Sequence, residues 1–271
     1  MYMKKIFIAV AALAFATAAN AQWNFDVKNV ESLTGEYKSL GKKATAITTN
    51  AGGAALGMDD DNSAVQNIGF DFKFNGKTFN QFVLNTNGFI KLGNVAPSAV
   101  NIYYPNANLA TGGAINVKDS NLIYPFNRNL EASDKSAAFK VQTQGSAGER
   151  ICTIEFKNLT DKIKESQYTS VSFQIKLYEG TNVIEFIYDE FKASENAALL
   201  SIAAVGIKGD DAANSINVAK GSGISWSNEM NKPQQPYVFM NGNYSTKGPN
   251  FGNKNNALPE AGHTYRFTPL K

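Results

Sequence analysis

The chain has 271 residues, 43% of them hydrophobic, with 26 Lys and Arg against 23 Asp and Glu for a formal net charge of +3. One cysteine excludes an intramolecular disulfide, and one histidine excludes a zinc site of clustered His and Cys. The near-balanced charge excludes the concentrated basic surface that displaces counterions from nucleic-acid phosphates, so no nucleic-acid partner is expected.

The N-terminus carries an export signal. Lys4 and Lys5 supply a positive start, Ile6 to Ala18 is apolar, and Ala19-Asn20-Ala21 places small residues where a signal peptidase cuts. Residues 1–21 therefore read as a signal peptide, which places the protein in the periplasm, on the outer-membrane surface or outside the cell. The new first residue is Gln22 rather than cysteine, which disfavours a lipid anchor. Removal of Lys4 and Lys5, with no acid in the same segment, lowers the net charge from +3 to +1. No later apolar run approaches the ~20 residues of a membrane helix, so no transmembrane span is expected. Residues 22–271 fit one β domain, since sandwiches and barrels often run to ~200–250 residues.

Period two dominates the rest of the chain. "WNFDV" (Trp23 to Val27) and "EYKSL" (Glu36 to Leu40) read as short strands. A Gly- and Asp-rich loop, Ala51 to Asn62, follows. In "FDFKF", Phe70, Phe72 and Phe74 share one face and Asp71 and Lys73 the other. Asn75-Gly76 supplies the two positive-φ residues of a type I′ turn, a strong hairpin signal. "KTFNQFVLN" returns with Phe82 and Leu84 inward, Asn87-Gly88 turns the chain again, and "FIKLG" continues the meander. Residues Ala96 to Asn121, including "YYPNANLATGG", read as an exposed but ordered excursion.

Strands are expected at Ala138 to Gln142 and Arg150 to Lys157. In the second, Cys152, Ile154 and Phe156 share a face, and Cys152 reads as a small buried hydrophobe rather than a reactive thiol. "SVSFQIKLYEG" and "VIEFIYDEF" form a second long hairpin, with Val171, Phe173, Ile175 and Leu177 facing Ile184, Phe186 and Tyr188. Further strands are expected at Leu200 to Ile207, Tyr237 to Met240 and His263 to Thr268. Many strands with one apolar face imply an all-β fold: an antiparallel two-sheet β-sandwich of jelly-roll or Ig-like layering, with long Asn/Gly-rich loops. The 18 phenylalanines can stabilise its core without disulfides, since burying one contributes ~1.5–3 kcal/mol.

"DDDNSAVQNIGFDFKFNGKTFNQFVLNTNGFIKLG" resembles a β-sandwich module of secreted and surface proteins in the Bacteroidetes, associated with type IX secretion. "RICTIEFKN", "VSFQIKLYEGTNVIEFIY", "VGIKG" and "GHTYRFTP" are similar to its later strands in the same order. More distantly, the chain is similar to nidogen-like extracellular modules. The resemblance covers most of Trp23 to Lys271 and rests on core and turn residues. It implies an adhesion-like or structural module with no catalytic residues. In "NLIYPFNRNL", Asn129 stands where the module usually has Asp. The chain ends at "FTPLK" without the usual C-terminal sorting domain.

The chemistry-bearing residues are sparse. His263 shares a strand face with Tyr265 and Phe267, which suits a packed imidazole better than a triad base. Asp59, Asp60 and Asp61, followed by Asn62, are the candidate Ca²⁺ ligands, but they lack the alternating spacing that brings oxygens together. Asp210-Asp211 with Asn214 is a weaker case. A hydrolase would need two acids held across a cleft, and no pair stands out. Tyr103, Tyr104, Trp226, Tyr237 and Tyr244, with Tyr124, are candidate glycan-stacking rings among many Asn residues. The leading expectation is a non-enzymatic surface protein binding an unidentified surface protein or glycan. A carbohydrate-binding module is the alternative, and a carboxylate-dependent hydrolase comes third.

Overall fold

The structure is a computed structural model that describes residues 23–104, 113–115, 117–162, 166–189, 191–195, 201–220, 237–242, 251–253 and 258–271. The signal peptide expected at 1–21 lies outside them. The strands are β1 (Phe25–Thr34), β2 (Thr45–Ala46), β3 (Gln66–Phe74), β4 (Lys77–Asn85), β5 (Phe89–Leu92) and β6 (Leu122–Asn127). They continue as β7 (Leu130–Ala132), β8 (Ala138–Gln144), β9 (Ile151–Asp161), β10 (Tyr168–Tyr178), β11 (Ile184–Tyr188) and β12 (Lys192–Ala193). Last come β13 (Ser201–Lys208), β14 (Ser215–Lys220), β15 (Tyr237–Asn241), β16 (Phe251–Asn253) and β17 (His263–Pro269). No helix long and apolar enough to cross a membrane occurs among the described residues.

The fold is all-β. Among the described residues, a nine-stranded sheet runs β1-β17-β11-β10-β9-β8-β2, with β12 and β7 beside β10 and β9. An eight-stranded sheet runs β15-β14-β16-β13-β6-β5-β4-β3. The pairings are antiparallel except for a parallel contact between Lys220 of β14 and Phe251 of β16. The two sheets pack as a sandwich. The alternating residues Phe70, Phe72 and Phe74 lie in one buried cluster with Ile154, Phe156, Phe173, Ile175, Phe186 and Phe267 of the facing sheet. Phe156 stacks on Phe173 at 4.8 Å, and Phe126 of the eight-stranded sheet reaches Phe173 at 6.1 Å.

The first hairpin turns as its sequence dictates: Asn75 and Gly76 take φ of 51° and 67°, and Phe74 pairs with Lys77. The second turn differs. Asn85 pairs with Phe89, and only Gly88 of Thr86-Asn87-Gly88 takes positive φ. A three-residue loop with a left-handed glycine replaces the two-residue turn.

Strand β3 lies at a sheet edge, where unpaired carbonyls and amides invite further strands. Three side chains cover it. Thr143 Oγ1 donates to Ile68 O at 2.6 Å, Arg150 Nη1 donates to Gly69 O at 2.6 Å, and Lys73 N donates to Asn182 Oδ1 at 2.7 Å. Gly69, at φ 92° inside a bulge, turns its carbonyl to Arg150.

"EYKSL" is not a strand. The chain leaves β1 at one edge of the nine-stranded sheet and enters β2 at the other. The strand order puts six interstrand spacings between them, ~29 Å at ~4.8 Å each, so residues 35–41 run extended as a belt across the outer face, before a turn at 41–44 leads into β2. Its partners are side chains rather than a backbone ladder. Glu155 Oε1 accepts from Tyr37 Oη at 2.9 Å and Leu40 N at 3.0 Å, and Gln174 Nε2 donates to Lys38 O at 2.7 Å.

Ala96 to Asn121 is not an exposed excursion where it is described. Ile102, Ala114, Ile115 and Val117 bury against Phe89, Leu122, Tyr124 and Ala204 on the outer face of the eight-stranded sheet, forming a second apolar cluster.

Phe72 has no exposed surface. Phe72→Asp should destabilise the fold by at least ~4 kcal/mol, because a carboxylate would lie unpaired in the core. Urea unfolding and secretion yield measure this; a native-like midpoint would refute the register of β3.

Candidate functional site

The acidic turn sends its carboxylates to separate partners. Asp59 accepts from the Lys162 ammonium, and Asp60 Oδ1 accepts from Asn87 Nδ2 at 2.7 Å. Asp61 accepts from Gly57 N at 2.8 Å and Asn62 N at 2.8 Å. Asp61 and Thr86 also exchange backbone and hydroxyl bonds, so the loop docks on the turn between β4 and β5. Among the described residues no group of three or more His, Cys, Asp or Glu side chains is placed to hold a metal ion. Asp210 pairs with Lys77 at 2.9 Å, and Asp211 caps Asn214 N at 3.0 Å.

The Asn residues of "NTNG" form a buried amide network. Asn85 Nδ2 donates to Asn62 Oδ1 at 2.7 Å and Val100 O at 2.9 Å; Asn87 Oδ1 accepts from Leu130 N at 3.0 Å. Asn127 Nδ2 donates to Asn87 O at 2.8 Å and Ile102 O at 3.0 Å, while its Oδ1 accepts from Ala114 N at 2.9 Å. These amides satisfy otherwise orphaned backbone groups and hold the β5–β6 excursion down. A buried lysine and a half-buried one assist. Lys208 donates to Val117 O at 2.5 Å, and Lys91 pairs with Asp119 at 2.7 Å. Desolvation pushes the Lys208 ammonium down to about 8.

Tyr103 and Tyr104 lie half-buried on this excursion. Tyr124 is not a loop ring: it is fully buried in β6, with its hydroxyl donating to Asn217 Oδ1 at 2.7 Å. Tyr237 opens β15 opposite Lys220; its side chain, Trp226 and Tyr244 lie outside the described residues. Among the described residues, the candidate rings outside the core are Tyr103 and Tyr104, neighbours in sequence.

His263 is buried in β17, edge-on to Tyr265 at 4.8 Å. Desolvation, then the Lys220 charge, push its imidazole down to about 3. Cys152 is buried in β9, and desolvation pushes its thiol up to about 12, so it packs as a small hydrophobe.

One concavity was not legible in sequence. A cleft of about 360 Å³ opens on the outer face of the nine-stranded sheet. Gln144, Thr153, Gln174 and Lys176 form its floor, Lys38 and Leu40 of the belt one wall, and Gly145 and Glu149 of the β8–β9 turn the other. The outward alternation of β9 and β10 marks the floor residues, but nothing in the sequence shows that residues 35–41 cross above them.

Gly88 sits at φ 82°, and a Cβ there would lie 2.0 Å from Phe126 O. Gly88→Ala should cost ~3 kcal/mol through backbone strain and displacement of β6, read by urea unfolding; a neutral result would refute this turn geometry. His263 is neutral when folded and protonates below about 6.5 when unfolded. Its contribution to stability is present above that pH and is lost as pH falls toward 3. Between pH 6.5 and 5, wild type should lose up to ~2 kcal/mol more than His263→Phe, at ~1.4 kcal/mol per unit. An unchanged difference in denaturant midpoints would show an imidazole that titrates freely.

A family model described as NIDO related matches residues 29–269. No curated protein matches the chain. No solved structure matches it. The matched span runs from within β1 to the end of β17, and the chain therefore belongs to the NIDO-related family, a nidogen-like extracellular module.

Proposed function

We propose that this protein is a secreted, non-enzymatic β-sandwich of the cell envelope or surface, acting as an interaction, adhesion or structural module. One observation carries the reading: the family match spans 29–269, and the motif residues within it serve the scaffold. Gly69 shapes a bulge, Asn75-Gly76 closes a hairpin, and Asn85, Asn87 and Asp61 tie loops together. An extracellular module of this kind supports contact with surface partners rather than turnover.

A carbohydrate-binding role is the second reading. The cleft beneath the belt favours it, because amides, a hydroxyl and charges of both signs converge there beside Leu40 and Ile151.

The test is capture. The secreted protein, immobilised and exposed to surface fractions with glycans retained, should hold a saturable surface component. The same preparation should leave a broad panel of ester, peptide and glycoside substrates intact. Turnover of any of them, abolished by substituting one carboxylate, would overturn the reading.

A further inference from the structure

We propose that the cleft between the belt and strands β8, β9 and β10 is a saccharide-binding site. The inference deepens the surface-module reading and rests on it for access to glycans.

The cleft is lined by polar side chains, exposed or half-buried apart from Gln174, that have hydrogen-bonding capacity to spare. No hydrogen bond to a described residue engages the side chains of Gln144, Glu149 or Thr153. The Lys176 ammonium reaches only Glu36 O, at 3.5 Å. Gln174 in the floor is fully buried, and its Oε1 has no hydrogen-bond partner. Beneath the belt, the buried Glu155 likewise keeps Oε2 without one. A buried acceptor left unpaired costs ~1–3 kcal/mol, and Gln174 Oε1 carries that cost in the floor of the cleft.

Both walls are fixed in advance. The belt is pinned by Glu155 and Gln174, by Lys140 Nζ donating to Leu40 O at 2.9 Å and by Lys157 Nζ donating to Ser39 Oγ at 2.6 Å. The opposite turn is pinned by Glu179, which accepts from Gly148 N at 2.9 Å and Arg150 N at 3.1 Å and binds the Arg150 guanidinium through both oxygens. Such a site loses little entropy when filled.

The donor set selects the ligand class. Glu149 disfavours a simple anion, and Lys38 and Lys176 disfavour a simple cation. The polar floor disfavours an apolar ligand. A hydroxyl both donates and accepts, so a ring bearing several can satisfy Gln174 Oε1, Thr153, Gln144, Glu149 and Lys176 together. Leu40 and Ile151 offer apolar surface to its C–H face. The cleft volume falls in the ~300–1,000 Å³ range of small-ligand sites.

The test uses the secreted protein in affinity gels containing mannan, xylan, mixed-linkage glucan or pectin. At least one polymer should retard wild type, and Thr153→Val and Lys176→Met should each weaken that binding at least tenfold with unchanged melting temperatures. Should a variant misfold, hydrogen exchange on wild type decides: protection on adding the polymer is expected at residues 36–41 and 144–153. Retardation by none of the polymers, full binding by both variants, or protection elsewhere would overturn the proposal. Loss in Tyr103→Ala with retention in Thr153→Val would overturn it in favour of the loop rings. Surface capture that survives both cleft variants would leave the module reading standing without this site.

Discussion

The interlocking of two alternating apolar faces is the constraint on which everything else depends. Phe72, Phe82 and Leu84 project from one sheet, and Ile154, Phe156, Phe173 and Phe186 from the other, into one buried cluster. With a single cysteine there is no covalent staple within the chain. A slip of one residue in any of these strands would turn its apolar set outward. The positive-φ residues Asn75, Gly76 and Gly88 fix where each strand starts, and so keep that register.

A sandwich leaves two outer faces, and this one treats them differently. Over the eight-stranded sheet, the excursion after β5 lays down Ile102, Ala114 and Ile115 and closes a second apolar layer. Asn85, Asn87 and Asn127 satisfy the backbone groups that this burial would otherwise strand. Over the nine-stranded sheet, the belt crosses a polar surface and touches it through Glu155, Gln174, Lys140 and Lys157. A polar face under a thin cover cannot close as an apolar layer does, and the cleft is what remains.

This difference also explains what the sequence disclosed. The hairpins β3–β4 and β10–β11 were legible because each has one apolar and one polar face; β4 was read with its observed bounds, Lys77–Asn85. Strand β6, "LIYPFN", went unread because all six residues are buried, which erases the alternation. "SINVAK" of β14 was hidden for the same reason. "EYKSL" misled because alternation also suits an extended segment lying on a surface: Tyr37 and Leu40 are half-buried while Glu36 and Lys38 are exposed. The acids at 59 and 60 and the ring of Tyr124 were visible as residue types, but their partners, Lys162, Asn87 and Asn217, lie 27 or more positions away and carry no local signal. The cleft was invisible for a further reason. It depends on a belt of one polarity meeting a floor of the same polarity, and no period in either segment records that meeting.

Long-range partners, rather than residue identity, decide which polar residues belong to the scaffold. The residues that stand out in the sequence, Asp59 to Asp61, Asn85, Asn87 and His263, are the ones the fold uses for itself. Asn87 illustrates the point: its buried amide donates both N–H groups, to Asp60 and Val100 O, and accepts from Leu130 N. Thr153 and Gln144, unremarkable in sequence, face outward from paired strands held rigid by the core, with their hydrogen-bonding capacity intact. A binding site of the kind proposed needs this combination: a stiff sheet beneath, a pinned wall on either side, and polar groups left free to bond outside the fold.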